Sequence, residues 1–118
     1  MQNLEQLRAK NALSAKIGKG AEDGDAVSKK VPAMIRQNGF LGAMAFAKEK
    51  YDPMKPEKNG YWDVFNAIIT HLKDANQLHG LPSKFDDFLA GLCAKDAATL
   101  RAVTAEAMAY LNYLRRFH

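Results

Sequence analysis

The C-terminal end of the chain carries the strongest structural pattern in the sequence. Apolar residues recur there at helical spacing, at Leu100, Val103, Ala107, Tyr110, Leu111, Leu114 and Phe117. On a helical projection they fall within about 120° of one another. An apolar face of this width has to be covered by another packed layer, so the segment predicts a core helix. Asp96, just before it, is a suitable N-cap.

Helical spacing also recurs along the rest of the chain, whereas alternating Val, Ile and Thr between hairpin turns do not occur. The 118 residues suffice for one domain and leave little room for a second. We therefore predict an all-α fold, a single compact helical bundle of five to six helices, with one domain spanning residues 1–118. The predicted helices run from Asn3 to about Ile17, from after Asp25 to Asn38, from Phe40 to about Lys50, from Tyr61 to about Asn76, from near Ser83, and from Asp96 to the C-terminus.

Two residues predict interruptions within VPAMIRQNGFLGAMAFAKEK, residues 31–50. Pro32 lies inside a helical pattern, so we expect a kink or a helix that starts afresh there. Gly39 follows Asn38 and suits a left-handed helix end. The next segment, YDPMKPEKNG, contains two prolines and an Asn-Gly pair and is predicted to be a loop.

The segment from Phe40 to Lys50 is apolar on nearly all sides, and the first helix has apolar residues on two sides. A helix that is hydrophobic all round is either engulfed or has a second partner. Since a domain of this size cannot easily engulf a helix, part of both surfaces is expected to meet another chain.

Positive charge is concentrated in the first half of the chain. Residues 1–59 carry 11 Lys or Arg and 7 Asp or Glu, and residues 60–118 carry six of each. Such segregation favours a polyanionic partner, although a solvated basic surface would give the same totals. The candidate contacts are Lys16, Lys19, Lys29, Lys30, Arg36, Lys48, Lys50, Arg115 and Arg116. Residues of this type bind phosphates without selecting a sequence, and no aromatic stacking surface is expected on the same faces.

Side chains for catalysis or metal binding show no recognisable pattern. The histidines His71, His79 and His118 lack metal-site spacing, and His71 is expected to be a satisfied or exposed side chain. Cys93 is expected to be a small core residue. No phosphate-binding glycine motif is present. We therefore predict no catalytic residues, no metal and no cofactor.

Four segments resemble one known family: LEQLRAKNAL, VPAMIRQNGFLGAMAFA, YWDVFNAIITHL and LRAVTAEAMAYLNYLRRF. In order and at this total length, they resemble the small subunit of the type III-B CRISPR (Cmr) RNA-guided effector complex. The resemblance implies a non-catalytic, all-helical protein of antiviral defence that stacks as a minor filament. Its implied partners are copies of itself, the RNA-cleaving backbone subunit, the large polymerase-palm subunit, and the guide and target RNA. The basic residues within matching segments are Lys29, Arg36, Lys48, Arg115 and Arg116.

Two other functions are compatible with parts of the pattern. A free-standing helical regulator would insert a recognition helix into DNA, for which IRQNG offers weak support. A small nuclease would hold a metal ion with Asp63 and Asp74. The first residues, MQNLEQLRAKNALSAK, lack the apolar core of a secretory signal. No run of apolar residues is long enough to cross a bilayer, and the sequence contains a single cysteine. A cytoplasmic protein without membrane contact is expected.

Overall fold

The computed structural model describes residues 2–18 and 27–118. Helices α1 (Leu4–Ser14), α2 (Val27–Lys50), α3 (Gly60–Asp74), α4 (Phe85–Cys93) and α5 (Ala97–Phe117) account for most of them, with a 3₁₀ turn at Pro56–Lys58. Within these described ranges there is no β-strand. The predicted fold class, a compact all-α structure, is confirmed. Lys19 and Asp25, after which the second helix was predicted to begin, lie outside the described residues.

Helix α1 begins with a capping box. The Asn3 side chain accepts from the Gln6 backbone N–H, and the Gln6 side chain accepts from the Asn3 N–H, both at 2.8 Å. These bonds satisfy two backbone donors that have no partner inside the helix. The helix ends at Ser14 rather than near Ile17, because Ala15 is extended with φ −68° and ψ 145°.

Helix α2 continues through Pro32, so the predicted fresh start at that residue is wrong. Pro32 lies in the second turn of the helix, where its missing N–H removes only the bond to the Ser28 carbonyl. The break in α2 occurs at Gly39, with φ 78° and ψ 164°. The predicted positive φ is confirmed, but this ψ belongs to an extended region that is essentially restricted to glycine.

Helices α2, α3 and α5 form most of the core, and α2 packs against both of the others. On α3 the fully buried apolar residues are Val64, Phe65, Ile68, Ile69 and Leu72, and on α5 they are Val103, Ala107, Tyr110, Leu111 and Leu114. The five on α5 are the middle of the apolar face predicted for the C-terminal helix. The ends of the α5 face differ, since Leu100 is half-buried and Phe117 is exposed.

One smaller prediction about an apolar position is wrong. Cys93 is exposed rather than in the core, because Leu92 before it takes the inward position at the end of α4. The large side chains on the outer sides of the second half of α2 are partly covered within the chain. Phe46 packs edge-on against Tyr61 at a centroid distance of 5.2 Å, and Leu41 is half-buried. Among the described residues, no helix combines the length and apolar character needed to cross a membrane.

Candidate nucleic-acid interface

Three helix ends meet at the C-terminal residue of the chain. The Ser28 hydroxyl, at the start of α2, donates to the His118 carbonyl at 3.0 Å. The His118 ring Nε2 donates to the carbonyl of Ala12, near the end of α1, at 2.9 Å. We call the region around Ala12, Ser28 and His118 the three-helix junction. It joins parts of the chain that are as much as 106 residues apart.

Five of the predicted basic residues lie within four positions of a residue of this junction. They are Lys16, Lys29, Lys30, Arg115 and Arg116. Lys30 is partly buried, and the other four are exposed. Arg116 also donates from Nε to the Asn112 carbonyl at 3.0 Å, which leaves its terminal nitrogens available. The fold thus gathers positive charge from three separate segments at one end of the molecule.

Arg36 extends this charge along α2. It follows Lys29 by seven residues, which is two helical turns or about 10 Å, so the two lie on the same face of the first half of α2. Arg36 is exposed and has no hydrogen-bonding or ionic partner among the residues that the structure describes.

Lys48 and Lys50 lie at the other end of α2, away from the junction. The Lys48 Nζ is 2.6 Å from Asp86 Oδ1, an ion pair in which both side chains are more than half exposed. An exposed pair of this kind contributes about 0–1 kcal/mol, so it gives way easily to another anion. The Lys50 ammonium lies over the Phe46 ring, 5.5 Å from its centroid.

An aromatic stack lies beside Lys50, contrary to the expectation that the basic faces carry none. The Tyr51 and Trp62 rings are 4.1 Å apart with a 25° interplanar angle. Trp62 in turn stacks on Phe85 at 4.0 Å and 15°. The three residues lie in three different segments, so their spacing in sequence gave no sign of the stack. The one sequence feature that placed an aromatic ring near basic residues was the position of Tyr51, directly after a helix with a basic end.

A buried polar cluster was also missed from the sequence. The Arg8 guanidinium donates two hydrogen bonds to the Glu106 carboxylate, at 2.8 and 2.7 Å. Glu106 also accepts from Nε2 of His71, at 2.8 Å. His71 is fully buried and stacks on Tyr110, so its predicted role as a satisfied histidine is confirmed.

Hydrogen bonds to Asn11 determine which nitrogen of His71 carries the proton. The Asn11 amide nitrogen is 2.9 Å from His71 Nδ1 and 3.1 Å from Asp74 Oδ2. Since an amide nitrogen only donates, Nδ1 accepts and Nε2 carries the proton that Glu106 accepts. Each polar group of the cluster is thereby paired with a complementary one.

Burial and hydrogen bonding act on these groups in opposite directions. Desolvation raises the pKa of Glu106, but the hydrogen bonds from Arg8 and His71 and the charge of Arg8 lower it by more, so the net shift is downward. The hydrogen bond to Glu106 raises the pKa of Arg8. Burial raises the pKa of Tyr110, whose hydroxyl donates to the Asn11 carbonyl at 3.2 Å. The cluster therefore holds a full negative and a full positive charge at neutral pH.

This cluster fixes α1 in place. Among the apolar residues of α1, only Ala12 is fully buried, so apolar burial supplies little of its attachment. Arg8 and Asn11 instead connect it to α5 and α3 through the buried polar groups. Because Ala12 and Lys16 follow on the same segment, the cluster also positions the α1 side of the three-helix junction.

The carboxylates proposed for a metal-dependent nuclease do not converge. Asp63 and Asp74 are 11 residues apart on α3, about 16 Å along the helix axis. The Asp63 carboxylate accepts from the Gly18 N–H at 2.8 Å, and burial raises its pKa. Asp74 bonds to Asn11 and lies 3.8 Å from Lys10 Nζ. These two side chains cannot bind one ion together.

Comparison with known families gives one result for nearly the whole chain. The model of the family described as CRISPR-associated protein (Cas_Cmr5) matches residues 4–118. No curated protein and no solved structure matches the chain. The match includes every helix described above and all four segments that carried the resemblance. The chain therefore belongs to the Cas_Cmr5 family, the non-catalytic small subunit of the type III-B CRISPR effector complex.

Proposed function

We propose that the subunit binds the RNA backbone of the effector complex through the three-helix junction and the adjoining face of α2. The observation that carries this proposal is the gathering of basic residues from three segments around His118. Lys29, Arg115 and Arg116 are exposed there. Flexible and planar cations on an exposed surface suit phosphate oxygens, which carry no sequence information. In an RNA-guided complex, base pairing supplies the sequence specificity.

The second part of the proposal is a filament contact between copies of this chain. Leu13 is 64% exposed and Phe117 is 44% exposed, which is unusual for large apolar side chains. Each directly adjoins a residue of the three-helix junction, so an apolar patch lies beside the basic residues. A head-to-tail contact of this patch with a different surface of the next copy would extend without closing. One RNA bound by several copies at their basic residues would hold the copies close together and so strengthen each weak contact between them.

The remaining assignments follow from family membership. The proposed partners are the RNA-cleaving backbone subunit, the large polymerase-palm subunit, and the guide and target RNA, in the cytoplasm. We also propose that residues 1–118 act as one domain, because the buried apolar residues of all five helices form one cluster.

RNA binding by a charge-matched pair of variants tests the proposal. In the junction variant, Lys29, Arg115 and Arg116 are changed to Ala. In the control variant, the exposed residues Lys73, Lys84 and Lys95 are changed to Ala, with the same loss of net charge. Affinity for RNA is measured against salt concentration by fluorescence anisotropy.

The junction variant is expected to lower the slope of log affinity against log salt by about 2–3, because each lost phosphate contact removes about 0.7–0.9. The control is expected to retain most of the slope. Equal losses in both variants would show that binding follows net charge alone and would contradict the proposed surface.

A further inference from the structure

The aromatic stack at the end of α2 has one uncovered member. Phe85 is buried and Trp62 lies between Phe85 and Tyr51, whereas Tyr51 is 39% exposed. Trp62 covers one face of the Tyr51 ring, and the exposure of the residue leaves it in contact with solvent. A further flat ring can gain an offset or edge-on aromatic contact with such a side chain.

Hydrogen bonds hold Tyr51 and its loop in place without any partner. The Asn59 side chain is buried, accepts from the Asp52 N–H at 2.9 Å, and donates to the Asp52 carbonyl at 2.8 Å. The Asp52 carboxylate accepts from the Met54 N–H at 2.9 Å. The Tyr51 N–H donates to the Lys48 carbonyl at 3.2 Å. The ring is therefore already positioned before a ligand arrives, which lowers the cost of ordering it.

Two lysines line a crevice beside Tyr51. Lys50 and Lys58 line the same narrow crevice as Tyr51 and Trp62. The Lys50 ammonium lies over the Phe46 ring in the unbound protein, and both lysines are exposed, so each can turn toward an anion held near Tyr51. Glu49 and Glu57 are their neighbours in sequence, so the region is not strongly basic overall. The relevant feature is that an exposed aromatic ring and two lysines share one crevice.

We propose that Tyr51 is a stacking site for an unpaired RNA base, with Lys50 and Lys58 binding the phosphates that adjoin it. A nucleobase supplies the flat ring and its strand supplies anions close by. Bases within an A-form duplex are stacked on one another and cannot occupy this position, so the ligand is single-stranded. This inference rests on the proposed RNA contact but uses residues that are separate from the three-helix junction.

Single-stranded and duplex RNA of the same sequence test the site in the full-length protein. The Tyr51→Ala variant is expected to weaken single-stranded binding about 5- to 150-fold, the range for one lost base stack, and to leave duplex binding unchanged. Tyr51→Phe retains the ring and is expected to keep wild-type affinity. Met54→Ala is the matched control, because Met54 is an 84% exposed apolar side chain in the same loop but has no ring.

Three further measurements separate a stacking role from a structural one. Tyr51→Leu covers Trp62 with apolar atoms but offers no aromatic face, so it is expected to fold and still lose single-stranded affinity. Trp62 is the only tryptophan of the chain, and its fluorescence reports whether each variant keeps the stack intact. Single-stranded RNA that contains 5-iodouridine is expected to form photo-crosslinks with Tyr51.

Different outcomes would overturn the stacking site at Tyr51 and the proposed RNA contact at the three-helix junction. Wild-type single-stranded affinity in both Tyr51→Ala and Tyr51→Leu, together with a loss in the junction variant, would overturn the stacking site alone. No RNA binding by the wild-type chain would overturn both proposals. Altered self-association without altered RNA affinity would identify Tyr51 as a protein contact and would also overturn the stacking site.

Discussion

Removal of Arg8 tests whether the buried polar cluster attaches α1. In the Arg8→Ala variant, the Glu106 carboxylate loses two of its three hydrogen bonds and keeps only the one from His71. Glu106 is 6% exposed, so water cannot readily replace the guanidinium. A buried charge that has lost its main partner destabilises the folded state.

The structure gives an approximate magnitude for this loss. Breaking a fully buried ion pair costs about 3–5 kcal/mol. The Arg8 side chain is 23% exposed, and His71 continues to donate, so the cost should lie below that range, at about 2–3 kcal/mol. The control Lys10→Ala removes an exposed pair with an N–O distance of 3.8 Å and should cost less than about 0.5 kcal/mol.

A double-mutant cycle identifies the mechanism. Glu106→Gln alone should destabilise the protein, because it removes the ion pair. In the Arg8→Ala background the same change should be stabilising by about 1 kcal/mol, because it removes the unpaired buried charge. Urea denaturation measures these free energies, and hydrogen exchange should show the largest loss of protection in α1. An Arg8→Ala cost below about 1 kcal/mol, or the same effect of Glu106→Gln in both backgrounds, would refute this account of the cluster.

Three further predictions concern stability and assembly. Gly39→Ala should lower the free energy of unfolding by about 1–3 kcal/mol. The loss should come from backbone strain alone, because an added Cβ would meet no atom within 4 Å. Gly42→Ala, in the helical part of α2, should lower it by less in the same denaturation assay. Because folding lowers the pKa of Glu106, its contribution should be present above the usual value of 4.5 and be lost as pH falls through the lower folded-state value. Glu106→Gln should therefore show a weaker loss of stability in acid than the wild type, and parallel curves would contradict the assignment. Leu13→Ser with Phe117→Ser should weaken self-association in sedimentation without lowering the melting temperature, and unchanged association would exclude this patch from the filament contact.

Local patterns in the sequence predicted the elements that local interactions determine. The N-cap at Asp96 is confirmed, with its side chain accepting from the Thr99 N–H at 2.8 Å. The positive φ at Gly39 followed from its place after Asn38. The fresh start expected at Pro32 is not found, because a proline inside a helix removes a single backbone bond and α2 continues through it.

Long-range contacts could not be predicted in the same way. Arg8 and Glu106 are 98 residues apart, and neither carries a signature of pairing in its local sequence. The same holds for Tyr51, whose stack depends on how α2, α3 and α4 pack together. The basic residues could be named as candidates from the sequence, but only the fold shows which of them lie near one another.

Lysine acetylation of the full-length protein with and without bound RNA shows whether RNA binds at the three-helix junction. Mass spectrometry then reports how strongly RNA protects each lysine. RNA bound at the junction should protect Lys16 and Lys29, which lie next to it, and leave Lys73, Lys84 and Lys95 unchanged. Equal protection of all five lysines, or protection confined to the last three, would contradict binding at the junction.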